Sequence, residues 1–166
     1  IIKGGSSTKY MIEEGAVELP IDVPETVRKD MSPFYNPVMR TNREVSMGVL
    51  EAQKEGVDAF FPLAGTGIRP LRCLKETTTM DSVVVNDINQ HFPRRFKTYA
   101  EQNDVSLETV SIKQEDARSL AFELRSFDYV EIDPFGSPNK YLDSCIQQLR
   151  DGGILALTAT DTAPLS

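Results

Sequence analysis

The sequence predicts a doubly wound α/β domain built on a mostly parallel sheet, and three observations indicate this class. The chain has 166 residues, of which 40% are hydrophobic and 26% charged, a balance typical of a globular domain with a buried core. From Val57 onward, short apolar segments alternate with segments of helical periodicity. Glycines or acidic residues follow several of the apolar segments, and in α/β folds ligands bind where strands end in this way.

Five strands and four helices are predicted in this part of the chain. The strands fall at residues 58–63, 82–86, 109–114, 127–133 and 154–160, and the helices lie near residues 70–76, 89–102, 117–124 and 138–150. Ser137 and Pro138 mark the start of the last helix, and Gly152 and Gly153 mark its end. Strands that alternate with helices form parallel βαβ units with right-handed crossovers.

Residues 1–56 are predicted to form an N-terminal extension and a first helix. Alternating apolar residues around Gly15 indicate a small hairpin over residues 11–21. Thr41 and Glu44 have the spacing of a capping box, which predicts a helix that runs from there to about residue 55. Residues 57–166 would then form the α/β domain. Because only five strands fit into it, and because the chain begins at Ile1, we expect a fragment whose α/β domain is incomplete at its C-terminus.

Composition excludes several classes of protein. The formal net charge is −7, so the chain as a whole has no electrostatic footprint for nucleic acid, and such a role would need a local basic patch or a separate domain. Cys73, Cys145 and the single histidine, His91, have no metal-ligand spacing, which predicts no metal site and a reducing compartment. No apolar run approaches the roughly 20 residues that span a bilayer, so no membrane role is expected.

A partial glycine motif follows the first predicted strand of the α/β domain. Gly65 and Gly67 would let the backbone approach a ligand at the start of a helix. The third glycine of a dinucleotide-binding motif is replaced by Pro70, which offers no N–H to a pyrophosphate and disfavours NAD or FAD. Asp87 lies 20 residues beyond Gly67, where acids that bind a ribose diol are expected. Asp116 follows the next strand, in position to meet an adenine amino group.

Together these residues suit an adenosyl ligand without a pyrophosphate, and S-adenosylmethionine is the candidate. A tight glycine turn and two helix-capping aspartates would explain the same residues one at a time, and this alternative stays open for each of them.

The segment Asp133-Pro134-Phe135-Gly136 ends the fourth predicted strand of the series. Pro134 has no N–H and disfavours the helical conformation for the residue before it, so the strand must stop at Asp133. A carboxylate and an aromatic ring are then displayed at the carboxyl end of a strand, where ligands bind in open α/β sheets. The alternative is a plain proline turn whose Phe135 ring covers the core.

The motifs, taken in order, resemble the tRNA guanine-26 N2-dimethyltransferase family of archaea and eukaryotes. The resemblance runs from about residue 12 to the end of the chain. It rests on the following segments: Phe34-Tyr35-Asn36-Pro37, Asn42-Arg43-Glu44, Thr66-Gly67-Ile68-Arg69, Asn86-Asp87-Ile88, Asp116-Ala117, Asp133-Pro134-Phe135-Gly136-Ser137-Pro138 and Thr158-Ala159-Thr160-Asp161.

The resemblance implies a Rossmann-like methyltransferase that uses S-adenosylmethionine to methylate tRNA. The residues that match cofactor-contacting positions are Arg43, Arg69 and Asp87, with Asp116 and Ala117 on the adenine side. Asp133 matches the catalytic acid, and Phe34 is a candidate to frame the target base. The family also carries a C-terminal tRNA-gripping domain that has no counterpart here, and it implies a cytoplasmic location, or a nuclear or mitochondrial one in a eukaryote.

Two positions depart from the family pattern. The family usually has an acid at the end of the first strand of the domain, and here that position is Phe61, followed by Pro62. This change concerns the geometry at the methionine end of the cofactor. Glu44 stands where the family commonly has Asp, which is a milder change.

The residues themselves fit methyl transfer to an exocyclic amine. The lone pair of such an amine is delocalised into the base, and acceptors for its N–H groups would make the nitrogen more tetrahedral. The Asp133 carboxylate and the Pro134 carbonyl are such acceptors, Asp133 can act as a general base, and Phe135 offers a ring face to a flipped base. Two alternatives remain: an amino-methyltransferase that acts on another nucleic-acid base, or a catalytically incompetent binding fragment of the same fold.

Overall fold

The computed structural model describes residues 9–22, 35–54, 56–123 and 126–159. Within these ranges a hairpin is followed by alternating helices and strands. The strands are β1 Lys9–Glu14, β2 Val17–Asp22, β3 Val57–Phe61, β4 Met80–Asn86, β5 Val110–Lys113, β6 Phe127–Ile132 and β7 Leu149–Leu157. The helices are α1 Arg40–Glu51, α2 Ile68–Glu76, α3 Phe92–Gln102, α4 Ala117–Glu123 and α5 Asn139–Ile146.

Strands β3 to β7 form one parallel sheet in the order β5-β4-β3-β6-β7. Strands β4 and β5 are added on one side of β3, and strands β6 and β7 are then added on its other side. The predicted doubly wound α/β class is therefore confirmed. The reversal of direction lies between β3 and β6, and in open α/β sheets ligands bind at the carboxyl ends of the strands at this point.

The sheet is covered on both faces by apolar residues. One core contains β3, β4 and β6 side chains together with residues of α1, α2 and α3. The hairpin of β1 and β2 belongs to the same core, because Val17, Leu19 and Ile21 point into it. The second core lies between the sheet and helices α4 and α5, around Phe60, Val130 and other apolar residues.

The predicted end of the last helix is wrong. Helix α5 stops at Ile146, and Gly152 and Gly153 lie inside strand β7. The β6–β7 register explains this: Phe127 pairs with Leu149 and Tyr129 pairs with Ile154, so β7 carries a bulge. Gly152 has a φ of 80°, which a glycine adopts without strain. The two glycines thus permit a bulge rather than ending a helix.

The predicted capping box at the start of α1 does not form. The helix begins at Arg40, directly after a 3-10 turn over Pro37–Met39, and Thr41 is exposed. Asn36 caps this turn, because its side-chain oxygen accepts the N–H of Val38 at 3.0 Å. The Glu44 carboxylate instead accepts a hydrogen bond from the Arg72 guanidinium at 3.0 Å.

Candidate functional site

The carboxyl ends of β3, β4, β5 and β6 lie along one edge of the sheet because all four strands are parallel. Asn86, the last residue of β4, is fully buried at this edge and connects three of the strand ends. Its amide nitrogen donates to the carbonyls of Pro62 at 2.9 Å and Glu115 at 3.0 Å, and its oxygen accepts the Glu115 N–H at 2.9 Å. The turns that carry the predicted site residues are therefore held in a fixed relation to one another.

The glycine turn between β3 and α2 is bound to the turn after β4. The N–H of Gly65 donates to Oδ2 of Asp87 at 2.8 Å, and the N–H of Asn89 donates to Oδ1 at 2.9 Å. On its other side, the Gly65 carbonyl accepts a hydrogen bond from Arg95 at 2.8 Å. The structure thus brings two predicted site residues, Gly65 and Asp87, into direct contact.

Gly65 and Gly67 both have left-handed backbone conformations, with φ of 58° and 86°. A Cβ added to Gly65 would meet no atom of the described residues within 4 Å, so this glycine borders open space. A Cβ on Gly67 would lie 2.6 Å from Cδ2 of the buried Phe96 ring. Gly65 therefore leaves space at the edge of the sheet, and Gly67 lets the turn fit against α3.

Asp116 and Ala117 follow β5 and begin helix α4. The Asp116 carboxylate accepts the Arg118 backbone N–H at 2.9 Å and pairs with the Arg118 guanidinium at 2.8 Å. Hydrogen bonds from this side chain and this N–H lower the pKa of Asp116 to about 2. Ala117 is buried beside it. The group at this corner is therefore a partly exposed carboxylate that stays ionised at neutral pH.

Asp133 lies directly after β6, as predicted, and Arg69 of α2 holds it. Nη2 of Arg69 donates to Oδ2 of Asp133 at 2.5 Å, while Nη1 is 2.6 Å from Oε1 of Glu131. Burial opposes the charge on Arg69, but Glu131 and Asp133 outweigh burial and raise its pKa. The Asp133 side chain is 27% exposed, so it remains accessible at the edge of the sheet.

Glu131 is a buried carboxylate beside this pair. Burial raises the pKa of Glu131 to about 7, although the Arg69 guanidinium opposes the shift. The Ser46 hydroxyl contacts Oε1 at 3.1 Å, and the Tyr129 hydroxyl donates to Oε2 at 2.7 Å. The arrangement is thus one guanidinium shared by two carboxylates, one of them accessible and the other buried.

A cavity of about 220 Å³ opens between α1, β6 and β7 beside this cluster. Its polar lining includes Asn42, Ser46, Glu131 and Thr158. Three of these contact Arg69: the Asn42 oxygen accepts from Nη2 at 2.7 Å, the Ser46 oxygen accepts from Nη1 at 2.8 Å, and Glu131 pairs with Nη1. The cavity is therefore connected to Asp133 through the Arg69 guanidinium.

Arg43, another predicted cofactor contact, belongs to a separate buried ion cluster. Its Nε and Nη2 atoms each lie 2.6 Å from an oxygen of Glu14 in the hairpin. Glu14 also accepts hydrogen bonds from Arg72 at 3.0 Å and from the Tyr35 hydroxyl at 2.8 Å. Burial raises the pKa of Glu14, but the hydrogen bonds from Arg43 and Tyr35 outweigh burial and hold it at about 2. This cluster joins the hairpin to α1 and α2.

Two aromatic residues of the sequence analysis, Phe135 and Phe61, lie in different surroundings. Phe135 is 63% exposed, so its ring is displayed rather than covering the core. Phe61 is buried in the core, with its ring centroid 6.0 Å from that of Tyr129. Its side chain therefore packs under the sheet edge and offers no group to a ligand there. Phe34 lies outside the described residues.

The sequence alone assigned no role in the site to Glu131, Asn42 or Ser46. Glu131 could have been found, because it is an acid between the apolar residues Val130 and Ile132 and lies two residues before Asp133, on the same face of the strand. Asn42 and Ser46 are four residues apart on α1, a spacing that places them on one helical face. Only the packing of α1 against α2 and the sheet shows that this face meets Arg69.

Within the described ranges, no helix is both long and apolar enough to cross a membrane. The same residues contain no group of three or more His, Cys, Asp or Glu side chains arranged to hold a metal ion.

Solved structures share this fold. The complex of Trm1 from Pyrococcus horikoshii with S-adenosyl-L-methionine superposes with a TM-score of 0.78 at 31% identity, over 94% of this chain and 44% of that one. The structure of M. jannaschii TYW2 in complex with AdoMet has a TM-score of 0.70 at 18% identity, over 93% of this chain and 64% of that one, and shows the fold alone. The strand order and these neighbours together define a Rossmann-like methyltransferase fold.

The family follows from the sequence comparisons. The family model described as N2,N2-dimethylguanosine tRNA methyltransferase matches residues 14–166. The tRNA (guanine(26)-N(2))-dimethyltransferase of Pyrobaculum islandicum is 41% identical over 156 residues, covering 92% of this chain and 44% of that protein. The tRNA (guanine(26)-N(2)/guanine(27)-N(2))-dimethyltransferase of Aquifex aeolicus is 38% identical, covering 94% of this chain and 42% of that protein. The chain belongs to the N2,N2-dimethylguanosine tRNA methyltransferase family, and it spans less than half the length of these relatives.

Proposed function

We propose that this chain carries the cofactor-binding and catalytic part of a methyltransferase that transfers a methyl group from S-adenosylmethionine to the exocyclic N2 of guanine 26 in tRNA. The observation that carries the proposal is the position of Asp133. Its accessible carboxylate lies at the carboxyl end of β6, next to the point where the strand order reverses, and Arg69 fixes one of its oxygens. Membership of the family supplies the reaction and the substrate class.

The cofactor would lie along the edge formed by the turns after β3, β4 and β5. Gly65 borders open space, so the backbone there can approach a ligand closely. Each oxygen of Asp87 accepts one backbone N–H and keeps an acceptor position for a ribose hydroxyl. Asp116 and Ala117 begin the next helix and would meet the adenine. Gly67 also packs the turn against α3, and its contact with the cofactor stays a prediction.

The cofactor contacts of Arg43 and Arg69 stay predictions. Both guanidinium groups are paired with buried carboxylates, Arg43 with Glu14 and Arg69 with Glu131, in addition to its pair with Asp133. We propose that Arg69 contributes mainly by orienting Asp133. Phe34 stays a candidate to frame the target base.

S-adenosylmethionine, when bound, supplies an electrophilic methyl group on a sulfonium. The chain must then hold the amine and make its nitrogen lone pair available. Arg69 binds Oδ2 of Asp133, and among the described residues Oδ1 accepts no hydrogen bond. Oδ1 is therefore the oxygen that would accept an amine N–H and take up the proton as the methylated amine forms. The Pro134 carbonyl would accept the second N–H, and the exposed Phe135 ring would stack on the flipped base.

Binding of tRNA would depend on more than these 166 residues, because their net charge is −7 and RNA backbone contacts need basic groups. The relatives are more than twice as long as the segment they share with this chain. We therefore propose that the tRNA is gripped with the help of residues beyond this chain. As its substrate is tRNA, we place the protein in the cytoplasm, or in the nucleus or mitochondrion of a eukaryote.

Labelled S-adenosylmethionine and unmodified tRNA test this proposal with the protein at its full genomic length. We expect N2-methylated guanosine after nuclease digestion, and no transfer by Asp133→Ala, with cofactor affinity by calorimetry close to that of the wild type. Label on another base would favour the alternative amino-methyltransferase. Cofactor binding without any transfer by the wild type would favour a binding module.

A further inference from the structure

Glu131 is a charged residue in the buried part of strand β6. It is 4% exposed, and its neighbours Val130 and Ile132 are fully buried. A buried carboxylate is costly unless it is paired and hydrogen-bonded. Replacing such a buried ion pair by apolar residues is often neutral or stabilising, so the pair by itself is weak evidence of a structural need.

Helices α1 and α2 and strand β6 each contribute a partner to Glu131. From α2, Nη1 of Arg69 lies 2.6 Å from Oε1. From α1, the Ser46 hydroxyl lies 3.1 Å from the same oxygen. From β6 itself, the Tyr129 hydroxyl donates to Oε2 at 2.7 Å, and the Asp133 carboxylate lies two residues further along the same face. The Cys73 thiol of α2 also interacts with the charge on Glu131, and burial raises the pKa of this thiol well above its ordinary value, so it stays neutral.

Arg69 is the residue that connects Glu131 to Asp133. Nη1 contacts Glu131 and Ser46, whereas Nη2 contacts Asn42 and Asp133. The guanidinium is planar and rigid, so fixing Nη1 also fixes the position of Nη2. Among the described residues, Asp133 accepts a hydrogen bond through Oδ2 alone, which leaves the direction of Oδ1 dependent on where Nη2 lies.

We propose that Glu131 is a positioning residue that holds Arg69 and thereby aims Oδ1 of Asp133 at the target amine. The proposal rests on the proposed function and deepens it. Glu131 also shares the positive charge of Arg69. When Glu131 is ionised, Arg69 divides its charge between two carboxylates, and Asp133 keeps more of its strength as an acceptor. When Glu131 is protonated, Arg69 is paired with Asp133 alone, and Asp133 becomes a weaker acceptor.

Because Arg69 shares its charge in this way, kcat is predicted to depend on pH. The pKa of Glu131 is about 7, so the carboxylate ionises near neutral pH. The folded-state pKa is raised, so the protonated form dominates below pH 7 and the ionised form dominates above it. We therefore expect kcat to rise with pH across this range in the wild type. The Tyr129 hydroxyl favours the ionised form because it donates a hydrogen bond to it, so Tyr129→Phe should move the rise in kcat to higher pH.

The experiment uses the protein at its full genomic length and compares Glu131→Gln, Tyr129→Phe and the control Asp128→Asn. Gln keeps the shape but not the charge, so we expect kcat to fall by about 10- to 100-fold, a loss typical of a displaced catalytic group. The KM for tRNA and the affinity for S-adenosylmethionine should remain near the wild-type values, and the rise in kcat near pH 7 should disappear. Asp128 lies on the same strand at its opposite end, paired with Arg150, and its variant should retain wild-type kcat.

A second readout does not depend on methyl transfer. The side-chain ¹⁵N resonances of Arg69 should shift as pH passes through 7 in the wild type, and should not do so in Glu131→Gln. If the wild type fails to methylate tRNA but this shift is present, the proposed function is wrong and the coupling of Glu131 to Arg69 stands. A wild-type kcat and pH profile in folded Glu131→Gln would overturn the positioning role. A uniform loss of kcat with an unmoved pH profile in Tyr129→Phe would also contradict it. If Glu131→Gln does not fold, the Tyr129→Phe profile decides alone.

Discussion

The glycine turn between β3 and α2 allows two neighbouring substitutions to be compared for stability and for ligand binding. In Gly67→Ala, the new Cβ would lie 2.6 Å from Cδ2 and 3.1 Å from Cε2 of Phe96, whose ring is fully buried. Overpacking a core costs about 1–3 kcal/mol. The φ of 86° adds the left-handed penalty of about 1–2 kcal/mol for a residue with a Cβ. We expect Gly67→Ala to lower the free energy of unfolding by about 2–5 kcal/mol.

Gly65→Ala is the matched variant. It carries the left-handed penalty, with a φ of 58°, but its Cβ meets no described atom within 4 Å. Its stability loss should therefore be only about 1–2 kcal/mol. Because the methyl group would occupy the open space at the edge of the sheet, S-adenosylmethionine should bind this variant much more weakly.

Urea unfolding measures the difference in stability between the two variants, and isothermal calorimetry measures the difference in their affinity for S-adenosylmethionine. Both variants should keep the wild-type m-value, so that the midpoints report stability. Equal midpoints for the two variants would refute the packing argument at Gly67. Wild-type cofactor affinity in Gly65→Ala would refute the placement of the ligand beside this turn.

Two further predictions concern the buried ion cluster around Glu14. Glu14→Gln should lower the free energy of unfolding, measured by urea unfolding, by about 3–5 kcal/mol, because it leaves Arg43 buried without a full partner. The neighbouring Glu13 is exposed, so Glu13→Gln should change the free energy of unfolding by less than about 0.5 kcal/mol in the same assay. Glu14 has a folded-state pKa of about 2, below its ordinary value of 4.5, so its contribution is present above pH 4.5 and is lost as the pH falls from 4.5 through 2. Wild-type stability should therefore decrease by about 3 kcal/mol more than that of Glu14→Gln over this range, and parallel pH profiles would contradict the assignment.

The architecture could be predicted because its signals are local. Each strand of the sheet is a short apolar segment bounded by turn residues, and each crossover carries a helical pattern. The glycine turn and the acids after the strands can also be identified from the sequence. The structure places Gly65 against Asp87 and Asp133 at the carboxyl end of β6, while the roles of these residues in binding and catalysis remain predictions.

The remaining features depend on tertiary contacts that no local pattern shows. Gly152 and Gly153 suggest a helix end in the sequence, but they serve a bulge that the pairing of β7 with β6 requires. The capping-box spacing at Thr41 predicts too late a start for the first helix. The helix begins earlier because Asn36 caps the turn that precedes it. The pairing of Arg69 with Glu131 joins residues that are 62 positions apart, so only the packing of α2 on the sheet reveals it.

The most direct test of the central claim compares two tRNA transcripts that differ by one exocyclic group. One transcript carries guanosine at position 26, and the other carries inosine there, which has the same ring but lacks the N2 amine. With the protein at its full genomic length and labelled S-adenosylmethionine, the account predicts N2-methylated guanosine at position 26 of the first transcript and no methylation at that position of the second. Equal labelling of residue 26 in both transcripts, or no labelling of either by a protein that binds the cofactor, would contradict it.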